Sequence, residues 1–318
     1  MADRSVNSSP VAQSDSGRRS AVSGLLTNPV TVKELRSRMR GRRAFAVLTL
    51  YLLILSGVIT VVYLAYSGNV AGPGSSAART AGKGLFAAVL AVQVFLVAFI
   101  GPTFTAGAIS GERERQTFDL LRTTLLSAES FVLGKLISAL SYVFLLVLVS
   151  IPLQSIAFLL GGLSLAELVI SQALIVVAAV AYALYGLWCS ATMRTTLAAT
   201  VTTFAGMLFI TFGTPLVAGM VAVLGTTVTG TWLSGPLVEA LILYGGLTAA
   251  ATNLPATLIL SETIYLQEDA LFGFTQSTAG GTTVWLFSPW LLFVLLHALA
   301  AAALYVWTVR HVRRVSDV

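Results

Sequence analysis

The chain has 318 residues, of which 56% are hydrophobic and only 10% charged, whereas a soluble domain carries about 25% charged residues. Its mean hydropathy of +0.88 excludes an ordinary water-soluble fold, and its formal net charge is +6. A lone cysteine, Cys189, excludes an intrachain disulfide and a cysteine-rich metal site, and His297 and His311 are far apart in sequence.

Residues 1–27 are polar, rich in serine and without an apolar core. They read as a disordered cytoplasmic tail rather than a secretory signal. Residues 28–43 then read as a basic amphipathic helix lying along the bilayer surface. Asn28 suits the N-cap and Pro29 the first turn. Lys33, Arg36, Arg40 and Arg43 fall on one stripe, while Leu35 and Met39 fall on another. The plain alternative is ordinary flanking charge beside a first span.

From residue 44 onward the chain reads as an all-α membrane protein with six transmembrane helices. The apolar blocks are long enough for the roughly 20 residues that a bilayer crossing needs, and they lack the alternation of barrel strands. The expected spans are Ala44–Tyr66, Leu85–Ile109, Phe131–Leu160, Leu165–Trp188, Thr196–Leu224 and Trp285–Val309. Basic residues set their direction, since Lys and Arg stay on the cytoplasmic side. Of the 19 basic residues, only Arg79 and Lys83 fall on the outer side of this arrangement. Both termini are therefore expected in the cytoplasm.

Residues 235–269 are apolar enough to imitate a seventh span. They hold no Lys or Arg, and Gly245, Gly246, Asn253 and Pro255 punctuate them. They read as an outer re-entrant hairpin of two short helices, about 236–252 and 256–268. Glu239 and Glu262 sit on its two arms and form a candidate outer gate, against a plainer role at the water interface. Within the spans, Gln93 and Gln154 suit interhelical hydrogen bonding. His297 suits packing, while Lys135 and Glu167 lie near span ends where they can snorkel. Pro102 and Pro152 are expected to kink their helices.

The loop after the second span, 111–130, holds the densest mixed charge in the chain: Glu112, Arg113, Glu114 and Arg115, then Asp119 and Arg122. Phe118, Leu121 and Leu125 follow at helical spacing, so a charged turn leads into a short amphipathic helix. Alternating Glu and Arg at a partner surface supply directional, charge-assisted contacts; a solvated loop is the bland alternative.

The order of these parts resembles the permease subunit of type-2 ABC exporters. Asn28, Pro29, Lys33, Glu34, Leu35 and Arg36 match the family's first interfacial helix. Glu112, Arg113, Glu114, Thr117, Leu120, Leu121, Ser127, Gly134 and Lys135 match its loop after the second span. The proline usual in that loop's turn is absent, and the hairpin's Asn-Pro pair is split as Asn253, Leu254, Pro255.

The resemblance covers about 28–314 and implies a function. This chain would be a permease moving an unknown substrate, paired with a second permease copy or relative in the lipid bilayer of a prokaryotic plasma membrane. A separate ABC-type ATPase subunit would dock on Glu112, Arg113, Glu114, Arg115, Thr117, Phe118 and Leu121, flanked by Lys33, Glu34, Arg36, Arg40 and Arg43. ATP and Mg would bind in that partner, because this chain has no P-loop and is not expected to be an enzyme. It would bind no cofactor, metal or nucleic acid of its own. The alternative is an ABC-type membrane scaffold or signalling subunit without a transported substrate. An intramembrane enzyme is disfavoured, since no HExxH or GxSxG motif occurs.

Overall fold

The computed structural model describes residues 42–67, 76–116, 127–229, 236–268, 270–277 and 283–316. The tail, nearly all of the 28–43 helix, and Thr117, Phe118 and Leu121 lie outside these residues.

The described chain is mostly helical, and six of its helices are long and apolar enough to cross a membrane. The first two are α1 (Arg42–Ser67) and α2 (Ser76–Thr105). A five-residue helix, α3 (Ser110–Glu114), follows after a short turn. Then come α4 (Ala128–Leu159), α5 (Leu165–Thr192) and α6 (Thr196–Leu208). A π-helical turn, Phe209–Gly213, joins α6 to α7 (Thr214–Thr229), so the fifth crossing helix is a composite. Two short helices, α8 (Pro236–Ala250) and α9 (Leu254–Glu268), precede the last crossing helix, α10 (Pro289–Ser316). The chain is a multi-pass membrane protein.

Local chemistry marks several of these ends. Ser127 caps α4 by accepting from the Ser130 N–H at 3.2 Å. Ser164 and Glu167 form a reciprocal capping box at the start of α5, so Glu167 is engaged at its own helix end rather than snorkelling. Pro102 lies inside α2, and the helix ends three residues later in the tight turn before α3.

The sequence expected helices alone, but a two-stranded antiparallel sheet precedes α10. Strand β1 (Gly273–Ser277) pairs with β2 (Thr283–Phe287), setting Gly273 against Phe287. Trp285 therefore belongs to a strand, and the last span begins at Pro289. Gly273 is needed here: a Cβ in its place would stand 2.4 Å from the Trp285 ring.

α2, α4 and α5 form the centre. Half of the residues in the most apolar stretch of each are buried, against 11% for the first and fifth crossing helices. The core joins Leu85 and Val89 of α2, Val143 and Leu146 of α4, and Leu174 and Ala178 of α5 to Phe293 of α10. α2 and α5 approach closely at Gly186, where a Cβ would meet Thr105 Oγ1 at 2.2 Å. α2 and the turn at Gly162 meet as tightly near the opposite end, where a Cβ on Gly162 would stand 2.3 Å from the Arg79 carbonyl.

Candidate functional site

The sequence-predicted charges gather at one end of the bundle and form a clasp. Ser190 of α5 accepts hydrogen bonds from the backbone N–H groups of Ile109 (2.9 Å) and Ser110 (3.0 Å), fixing where α3 starts. Glu112 then pairs with Lys135 of α4, whose side chain is 6% exposed. Arg113 donates to the carbonyls of Ala191 (3.1 Å) and Met193 (3.2 Å) at the C-terminus of α5. A guanidinium suits that place, because the last carbonyls of a helix lack intrahelical partners and carry partial negative charge. Glu114 accepts from the Thr196 N–H and hydroxyl, each at 2.8 Å, at the N-terminus of α6, where the complementary argument applies.

Three consecutive charged residues thus tie α3 to α4, α5 and α6. Sequence reasoning assigned them to a partner's surface; in the folded chain they also bond internally, and Glu114 and Arg115 are exposed. Lys135, expected to snorkel, instead points into the clasp. Its signal was available in the sequence, as a lone cation four residues into the apolar run beginning at Phe131.

A second polar cluster lies buried in the middle of the bundle. Gln93 of α2 donates to the Ser150 hydroxyl, and its oxygen accepts from Gln154 Nε2 (2.9 Å) and Gln172 Nε2 (3.2 Å). Gln172 also donates to Gln154 Oε1 at 3.1 Å. The interhelical role expected of Gln93 and Gln154 is what the geometry gives, with Gln172 of α5 as the member that sequence reasoning missed. In an apolar medium such amide bonds contribute about 0.6 kcal/mol each, up to about 2. His297 packs as expected, stacked on Phe293 with ring centroids 3.8 Å apart.

The opposite end carries the hairpin. Asn253, in the turn between α8 and α9, donates through Nδ2 to the carbonyls of Ile210 (2.8 Å) and Thr211 (2.9 Å) inside the π turn. Its Oδ1 accepts from the Ala256 N–H at 3.0 Å and so caps α9. Trp290 Nε1 donates to the Leu271 carbonyl at 2.6 Å, and Tyr244 donates to the Trp285 carbonyl. The hairpin is therefore pinned to the π turn on one side and to the β-ribbon and α10 on the other.

Glu262 of α9 lines two cavities beside this hairpin, of about 40 and 390 Å³. The side chain of Glu239 lies outside the described residues, and so does the expected pairing with Glu262. The charged neighbours that act on Glu262 are Glu167 and Lys83. Burial raises its carboxyl above the ordinary 4.5, Glu167 raises it further, and Lys83 opposes them. A raised carboxyl contributes stability that is complete below the unfolded value and is lost as pH rises through the folded one. Glu262→Gln is therefore expected to raise the thermal midpoint of the purified chain at pH 8 and to change it little below pH 4.5. A scan of midpoint against pH checks this.

Among the described residues, no group of three or more His, Cys, Asp or Glu is placed to hold a metal ion. No protein-family model matches the chain, and no curated protein matches it.

Proposed function

We propose that this chain is the permease subunit of an ATP-driven transporter of the type-2 ABC exporter kind, working with a separate ATPase. The clasp is the observation that carries the reading. A cytoplasmic loop that receives force must pass it to the bundle, and α3 is bonded to three helices at once. A push on residues 115–127 would reach α4, α5 and α6 together and bias the bundle between two packings.

Other features support the same reading. The clasp end holds Arg113, Arg115, Lys135, Arg194, Arg313 and Arg314, which favours a cytoplasmic position. α8 and α9 have 15 residues each, or roughly 22 Å of helix, too short to cross a hydrocarbon core of about 30 Å. We read them as a re-entrant pair entering from the outside, with Glu262 on the outer arm. The exposed apolar faces of the first and fifth crossing helices suit a second permease copy as well as lipid. Substrate would move through the assembled pair in a prokaryotic plasma membrane, with the 28–43 helix lying along its cytoplasmic face.

The clasp also changes how docking must be tested. Glu112 and Glu114 hold the chain together, so altering them confounds folding with docking. Purification of the full chain from its native membrane in mild detergent is expected to bring a P-loop ATPase with it. Arg115→Glu, at an exposed position, is expected to lower ATPase recovery at least fivefold while leaving the chain's thermal midpoint unchanged. A chain that reproducibly purifies without any ATPase overturns the proposal.

A further inference from the structure

We infer that the larger cavity beside the hairpin is a binding site for a lipophilic organic monocation of small-molecule size. The cavity is a groove of about 390 Å³ between α2, the π turn and α9, open along the outer side of the bundle where Phe95, Phe212 and Ile259 are exposed, and its size is within the range of sites that hold small ligands. Its walls are apolar, including Ala91, Phe95, Phe99, Phe212 and Leu258, and its single ionisable group is Glu262.

The charge balance selects the sign of the ligand. Among the described residues the Glu262 carboxylate makes no hydrogen bond or ion pair. Its neighbour Glu167 is already engaged as an acceptor from the Ser164 N–H. Lys83 is the cation that acts on Glu262, and it is not part of the cavity wall. A carboxylate held in apolar surroundings is costly until a counter-charge joins it. A bound cation would supply that charge, a neutral molecule would not, and an anion would be repelled.

The aromatic walls favour the same ligand. Phe95 and Phe99 stand with ring centroids 4.5 Å apart, and Phe212 lines the cavity from the π turn. Ring faces attract organic cations, most strongly where water is excluded. An apolar body bearing one delocalised positive charge therefore satisfies both walls and carboxylate. The small cavity on the far side of Leu90 and Leu258 shares Glu262 and holds the Ser261 hydroxyl, which has no hydrogen-bond partner among the described residues. A hydrated approach to the carboxylate from that side would let it stay ionised while its other face meets the ligand.

That such a cation is cargo rests on the transport reading above; its binding does not, because the chain alone is tested. The full chain, in nanodiscs of phosphatidylcholine, is dialysed to equilibrium against labelled tetraphenylphosphonium, and separately against tetraphenylborate, an anion of nearly the same shape. One saturable cation site per chain is expected, absent from discs without protein, with the anion binding at least tenfold more weakly. Glu262→Gln should weaken cation binding at least tenfold. Ala91→Phe keeps the carboxylate but fills the cavity, and should abolish binding even where the glutamine variant fails to stay monodisperse. Absence of a saturable component, equal binding of the anion, or undiminished cation binding by either well-folded variant overturns the inference. Failure here with an ATPase still co-purifying leaves the permease reading standing, whereas binding without any ATPase separates the two in the other direction.

Discussion

Glu112→Ala is expected to destabilise the folded chain by about 3 kcal/mol, near the lower end for stripping one partner from a buried pair. The cost lies mainly in what remains. Lys135 is 6% exposed, so without Glu112 its ammonium loses the carboxylate that faces it in a place largely closed to water. Replacing both partners, as Glu112→Leu with Lys135→Met, removes the charge together with its counter-charge. That double variant should recover most of the loss, because an apolar pair of similar volume often serves as well as a buried ion pair. Thermal unfolding of the three purified variants in detergent checks the pattern. Equal midpoints for Glu112→Ala and wild type would remove Lys135 from the clasp. If stability returns in the double variant while ATPase stimulation does not, the ion pair serves coupling as well as folding.

Asn253→Ala is expected to cost about 2–4 kcal/mol. Loss of an N-cap accounts for about 1 of these, and the carbonyls of Ile210 and Thr211, left without their donor, for about 1–3. Asn253→Ser separates the two, since its hydroxyl can still accept from the Ala256 N–H but cannot span to both carbonyls. Its loss should fall between wild type and alanine. The check is thermal unfolding of the purified wild type and both variants. An alanine variant as stable as wild type would mean that the hairpin is held by the β-ribbon and α10 without the π turn.

What the sequence made legible follows from the range of each interaction. Crossing helices depend on runs of twenty or more apolar residues, so all six expected spans coincide with described helices to within a few turns. The hairpin's break was readable because Asn253 and Pro255 act on their immediate neighbours. The last span was placed too early, since the run from Trp285 is apolar in either conformation and only the pairing with residues 273–277 makes it a strand. The clasp was half legible. Its charges stood out, but the partners Ser190 and Thr196 lie about 80 residues further along and depend on packing that no local pattern encodes. Gln172 carried the same signal as Gln93 and Gln154, a single amide in an apolar helix.

The π turn has a consequence for how this chain tolerates length changes. One helical residue corresponds to about 100° of rotation, so a π turn, which widens the ring by one residue, puts the faces of α6 and α7 out of phase by that amount. Deleting one residue within 209–213 would restore an ordinary helix and swing α7 by roughly 100°. Phe212 would leave the cavity, and the carbonyls that Asn253 now serves would find partners within their own helix. The fifth crossing helix thus has the character of a regular helix with one residue added, its added carbonyl capacity taken up by an asparagine 42 residues downstream of Thr211. Insertion and deletion at this point are not equivalent to substitution: they rotate the whole of α7 about its axis relative to α6.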